Sequence, residues 1–251
     1  RSADRSQPDW WKGSDYAFSL FMGIRDCNTF LENIEDTSKV ADLTVDKRAR
    51  WIAEAKFLKA YYHYYLLRTY GPIPIVDKNL PVSASPEAVQ VKRQPFDDCV
   101  KYIVGLLDEC NPGLPAVISN RQSELGRITK PINRAVKAQV LLLAASPLFN
   151  GNSEFFSRLR NSDGTYLVSQ TYDPAKWERA RIAAEQAISY AEQNGYRLYE
   201  NPANASIADN FERGVRNFHD YFVEPEYNTD EYLCAYVHTC LLYTSDAADE
   251  L

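Results

Sequence analysis

One stretch, from Asp46 to Tyr70, limits most strongly what this chain can fold into. Apolar residues recur there at helical spacing, at Trp51, Ala55, Leu58, Tyr62, Tyr65, Leu66 and Thr69, close to the period of about 3.6 residues expected of an α-helix. Thr44 or Asp46 can cap its start, Glu54 and Lys56 keep one face wet, and Gly71-Pro72 ends it. Within it, Tyr61-Tyr62-His63-Tyr64-Tyr65 places aromatic rings all round the rod. A helix of this kind must be covered on more than one side.

The rest of the chain supplies the covering elements. Trp11 to Glu35 reads as a helix, with Tyr16, Leu20, Met22, Ile24, Cys27, Phe30, Leu31 and Ile34 on its apolar positions. Pro95-Phe96 opens another that runs to Cys110, on a stripe of Val100, Ile103, Val104 and Leu107. Pro131 to Ser146 is alanine-rich and very apolar, which permits close helix packing. A fifth follows Asp173-Pro174, with Trp177, Ala180, Ala184, Ile188 and Ala191 on one face, and a short helix is expected around Ser206 to Phe218. Ile73-Pro74-Ile75-Val76 is extended, because proline pushes its predecessor out of the helical region. Tyr166 to Val168 is a candidate short strand. Loops over 77–94, 111–129 and 148–173 separate the helices. The expected fold is therefore all-α, with degenerate tetratricopeptide-like helical pairs and long loop insertions. A strict repeat of about 34 residues is absent.

Composition excludes several functions. The net charge of −6 argues against non-specific nucleic-acid binding and against docking on anionic lipid. No apolar run approaches a membrane span. No CxxC pair occurs, and the 3 histidines (His63, His219 and His238) have no ligand spacing, so neither metal nor cofactor is expected. Cys27, Cys99, Cys110 and Cys234 read as free thiols; Cys99 and Cys110, three turns apart on one helix, cannot pair with each other. No catalytic motif is present, and His63 reads as a packed helix residue. Asp97-Asp98 suits a helix start, and adjacent carboxylates on a helix point apart, which disfavours a glycosidase pair. No catalytic residue is assigned.

A binding role has more behind it. The chain has 17 Tyr against 11 Phe, and Tyr joins a flat apolar face to a polar tip. Asp9-Trp10-Trp11 combines rings on which a sugar can stack with a carboxylate that can bond to its hydroxyls. Asp9, Trp10 and Trp11 are thus the candidate ligand residues, with Trp10 the better ligand candidate and Trp11 the better core anchor.

Three blocks carry a family resemblance. Ala53-Glu54-Ala55-Lys56-Phe57-Leu58-Lys59-Ala60-Tyr61-Tyr62 is followed by Leu66-Leu67-Arg68-Thr69-Tyr70-Gly71-Pro72-Ile73-Pro74-Ile75-Val76. Gly126-Arg127-Ile128-Thr129-Lys130 is continued by the helix from Ala135 to Pro147-Leu148-Phe149-Asn150. Trp177, Ala180, Ala183 and Ala184 precede Asn194-Gly195-Tyr196-Arg197-Leu198. In order and spacing these resemble the SusD/RagB family over about residues 10–239. The resemblance implies a surface-exposed outer-membrane lipoprotein, not an enzyme, that sits as a lid on a SusC-like TonB-dependent transporter. Its ligand would be a nutrient, often an oligosaccharide, held by loops. Membrane attachment would come only through a lipid anchor, which this sequence does not contain. An interaction scaffold without a small ligand is the alternative, and a helical glycoside-active enzyme a third reading.

The resemblance also implies a signal and lipidated cysteine ahead of Arg1 and a further half beyond Thr239. Cys240 to Glu250 read CLLYTSDAADE, the translation of a common transposase-based sequencing adapter. Residues 1–239 are therefore expected to be the N-terminal helical part of the family domain, and residues 240–251 an artefactual tail. Without Asp246, Asp249 and Glu250 the acidic count falls from 34 to 31 against 28 basic residues, a net charge of −3.

Overall fold

The structure is a computed structural model and describes residues 8–14, 18–223 and 233. Nine helices lie among the described residues: α1 (Leu20–Ile34), α2 (Val45–Tyr70), α3 (Pro86–Val89), α4 (Phe96–Cys110), α5 (Arg121–Glu124), α6 (Lys130–Ala145), α7 (Ser153–Phe156), α8 (Ala175–Gln193) and α9 (Asn210–Val223). The all-α expectation holds. The candidate strand at 166–168 reduces to a single antiparallel bridge between Arg160 and Tyr166. No helix among the described residues is long and apolar enough to cross a membrane. Tyr16, Cys234, His238 and the tail from Cys240 lie outside the described residues.

The first helix starts later than its apolar period suggests. Asp9 Oδ1 accepts the N–H groups of Trp11 (2.9 Å) and Lys12 (3.0 Å), which folds 9–12 into a turn. Gly13 follows at φ 92°, and helix α1 begins at Leu20, whose N–H returns to the Trp10 carbonyl at 2.9 Å. A side chain that bonds its own backbone two residues on offers the chain an alternative to helix. Thr44 caps α2 as expected, its hydroxyl accepting from the Lys47 N–H at 3.4 Å. Asp173 Oδ1 accepts from the Ala175 N–H at 2.9 Å at the start of α8.

The chain gathers into two compact units. The first comprises residues 1–117 and 128–191. In it α2 packs against both α1 and α4, and α6 lies against α4 and α2. The core holds Ile24, Leu66, Leu67, Ile73, Phe96, Ile103, Leu107, Val140 and Val168, each essentially inaccessible. Phe96 stacks on Phe149 at 3.9 Å and Phe149 on Phe156 at 5.9 Å, so the long insertion after α6 is tied to the start of α4.

Two helices bury part of the expected face, at Ala55, Leu66 and Ala180, but leave several of its large residues out. Helix α2 buries Ala53, Ala55, Phe57, Ala60, His63, Tyr64, Leu66 and Leu67, whereas Trp51 (38%) and Leu58 (37%) stay partly exposed along a groove beside α1. Helix α8 buries Ala180, Ala183 and Ala187 and leaves Trp177 and Ile188 out. Along α8 the alanines thus lie inward and the large side chains at the rim.

Of the described residues, the second unit comprises 118–127, 192–223 and 233. Asp220 accepts from Asn201 Nδ2 (2.6 Å) and Asn204 Nδ2 (2.8 Å), which fastens the 3₁₀ turn at Pro202–Asn204 to helix α9. That helix runs Asn210–Val223 rather than 206–218. It exposes Phe211, Val215, Phe218 and Phe222 along one stripe.

Candidate functional site

Two local structures place side chains with binding chemistry, both in the first unit. One begins with the extended segment after α2. Gly71, at φ 73°, ends the helix and Pro72 forbids its continuation. The chain then runs back beside the helix and is pinned there by His63. The imidazole Nε2 accepts the Val76 N–H at 3.2 Å, so Nδ1 carries the proton and donates to the Lys59 carbonyl at 2.8 Å. Both ring nitrogens are spent on backbone, which makes this histidine a structural residue. Burial pushes its pKa down to about 4.

Lys59 lies beside it, only 4% exposed, and donates to the Asp77 carbonyl. Its ammonium also lies 3.4 Å from the Asp77 carboxylate, which accepts from the Tyr102 hydroxyl at 3.0 Å. Burial pushes the Tyr102 phenol upward, and the Asp77 charge adds to the shift. Asp77 itself is held below the usual carboxylate range: partial burial acts to raise it, but the bonds from Tyr102 and Lys59 and the charge of Lys59 outweigh that.

The second structure is the aromatic turn at 9–12, seated on the end of α2. Trp10 meets Tyr65 edge-on at 5.4 Å. Trp11 sits between Phe21 (4.9 Å) and Tyr70 (5.4 Å), edge-on to each. The Arg93 guanidinium lies 5.6 Å from the Trp11 ring centre and that of Arg68 5.3 Å from Tyr65. The Tyr70 hydroxyl reaches Asp9 Oδ1 at 3.5 Å. Asp9 is held ionised below its ordinary value, chiefly by the Lys12 N–H and further by the Trp11 N–H. Asp9, Trp10 and Trp11 are all half-buried.

The structure therefore brings the three sequence candidates into one cluster and adds Phe21, Tyr65, Tyr70, Arg68 and Arg93. Tyr65 and Tyr70 had a signal, since they end the Tyr-rich helix just where the chain turns. Arg93 had none: it comes from a loop whose path no period reveals. Chemically the cluster offers aromatic surface, a carboxylate and two guanidinium groups, the set that stacks on sugar rings and bonds their hydroxyls. No three His, Cys, Asp or Glu side chains converge on a common point among the described residues.

Comparison with known proteins bears on this arrangement. Residues 7–141 match the SusD-like family described as starch-binding and associating with the outer membrane. Among solved structures, a protein designated BT4246 is 35% identical, with a TM-score of 0.67 over 80% of this chain and 36% of its own. A SusD homolog from Bacteroides thetaiotaomicron (22% identity, TM-score 0.50, 68% of this chain and 28% of its own) shares the fold. So does a laminarin-binding SusD-like protein (18%, TM-score 0.52, 84% and 34%). The chain thus spans about a third of the length of the structures it matches. Among curated proteins none matches it.

Proposed function

Since the chain belongs to the SusD-like family, we propose that it is a non-catalytic capture subunit for a glycan at the outer membrane. The observation that carries the reading is the aromatic turn: Trp10 and Trp11 rest on Tyr65 and Tyr70 beside an ionised Asp9. A sugar's apolar C–H face stacks on such rings while its hydroxyls bond to the carboxylate and to Arg93. The half-buried indoles are oriented by edge contacts, so little rotamer freedom is lost on binding. We further propose that the captured oligosaccharide passes to a SusC-like TonB-dependent transporter, and that a lipid anchor holds the complete protein at the cell surface.

A glycan array followed by isothermal titration tests the capture role. At least one oligosaccharide is expected to bind saturably, and Trp10→Ala to weaken it about tenfold, the loss of one stacking contact of about 1.4 kcal/mol. No binding across the array, with a protein partner recovered in its place, would favour the interaction-scaffold reading. Co-purification with an outer-membrane β-barrel transporter tests the partnership separately.

A further inference from the structure

A second cavity, of about 170 Å³, opens between α4, α6 and α8 and is lined by Asp108, Asn111, Asn133, Arg134, Lys137 and Gln186, with Ala183 beside them. Its lining is polar, whereas the groove beside α1 and the one between α6 and α8 are apolar. At roughly 30 Å³ per water it holds about five or six molecules, the bulk of a carboxylate with a few carbons attached.

The hydrogen-bond accounting inside it is uneven. Asn133, 2% exposed, is fully engaged: it donates to the Leu107 carbonyl (2.9 Å) and to Asn111 Oδ1 (3.2 Å), and its oxygen accepts from the Cys110 thiol (3.3 Å). Lys137 pairs with Asp108 at 2.6 Å. Asn111 has given its oxygen to Asn133 and keeps its amide N–H groups. Among the described residues the Arg134 side chain makes no hydrogen bond: its guanidinium stacks over Tyr190 at 4.2 Å, and its buried Nε has no partner. Gln186 stands exposed at the rim.

The unspent groups are thus nearly all donors, and two cations face one carboxylate. A buried donor without an acceptor carries a cost that an acceptor would remove. The planar guanidinium, fixed over the tyrosine ring, matches the two oxygens of a carboxylate. We propose that this cavity binds the carboxylate of a small organic acid, with Arg134 as its fork and Asn111, Lys137 and Gln186 closing around it. The acid is either a free short-chain carboxylate or the carboxylate of an acidic sugar. The site is separate from the aromatic turn, and the proposal does not depend on glycan capture.

Titration of the 251-residue chain with sodium acetate, glucuronate, glucose and inorganic phosphate, followed by calorimetry and amide chemical shifts, tests it. Saturable binding of acetate or glucuronate is expected, with shifts at Asn111, Arg134 and Gln186, and none with glucose. If acetate and glucuronate bind alike, the source is a free acid; if glucuronate binds better, it is an acidic sugar. Arg134→Gln is expected to cost tenfold or more and Gln186→Ala about threefold, in line with charged and neutral hydrogen bonds respectively. Arg134→Gln also removes the stacking on Tyr190, so Gln186→Ala, at the exposed rim, keeps the test open if the first variant unfolds. Absence of saturable binding by both acids, tighter binding of phosphate than of either, or affinities unchanged in both variants overturns the assignment.

Discussion

Acid should unfold this protein partly through one ring. His63 is completely inaccessible, and burial holds its pKa near 4, against 6.5 for an ordinary imidazole. In the unfolded chain the ring takes up a proton as pH falls through 6.5; in the folded chain it resists until about 4. Over that window the unfolded state binds the extra proton, so stability falls as pH falls. It is whole above 6.5, declines by at most about 1.4 kcal/mol per pH unit, and levels below 4 once the buried ring itself is charged. The full swing is about 3 kcal/mol, a large share of the 5–15 kcal/mol typical of a folded domain. Urea unfolding at pH 7.5, 6.5, 5.5 and 4.5 measures it, with His63→Gln as the reference. The variant is expected to be about 1–3 kcal/mol less stable at pH 7.5, because one amide cannot serve both the Val76 N–H and the Lys59 carbonyl as the two ring nitrogens do. Between about pH 6.5 and 4 its stability should fall less steeply than that of the parent. Equal slopes in the two proteins would refute the reasoning, since carboxylate titration is common to both and only His63 differs.

Other perturbations have equally definite outcomes. Gly151→Ala should cost at least about 2 kcal/mol in a thermal melt, because φ is +76° and a Cβ would lie 2.4 Å from the Tyr172 nitrogen. Thr44→Ala should cost about 1 kcal/mol by removing the cap of α2. Burial raises the thiols of Cys27 and Cys99 to about 11 and that of Cys110 to about 12, so peptide mapping after alkylation at pH 7.5 should find all three unmodified until denaturant is added. Lys59→Ala should destabilise by about 2–3 kcal/mol, since its ammonium anchors the Asp77 carbonyl from a buried position.

Helix existence was legible in the sequence where period and punctuation agreed. Thr44, Gly71-Pro72 and Asp173 bound their helices as read. Which face turns inward was less legible. Of the residues read as inward, Ala55, Leu66 and Ala180 are buried, whereas Trp51, Leu58 and Trp177 are partly exposed and Ala53, Ala60 and Ala183, which the period count passed over, are buried. The late start of α1 was hidden because Asp9 competes for the backbone N–H groups, and a periodicity count does not register that competition. In the candidate site, Asp9, Trp10 and Trp11 were named as candidates from side-chain chemistry. The rings beneath them were not, because a contact between residues 10 and 65 depends on tertiary packing.

The glycine–proline break after α2 has the look of a joint. The bonds across it say otherwise. Ile73 O accepts from the Gln94 N–H at 2.9 Å and from the Cys99 thiol at 3.5 Å, Val76 is tied to His63, and Asp77 to Lys59. Residues on α2, on α4 and on the loop before α4 therefore grip a segment that has no ladder of its own. The helix and the chain that leaves it form a single lever, with Tyr65 and Tyr70 at its tip and the indoles resting on them. A load applied at the aromatic turn is borne by the packed helices, not by a slack connection.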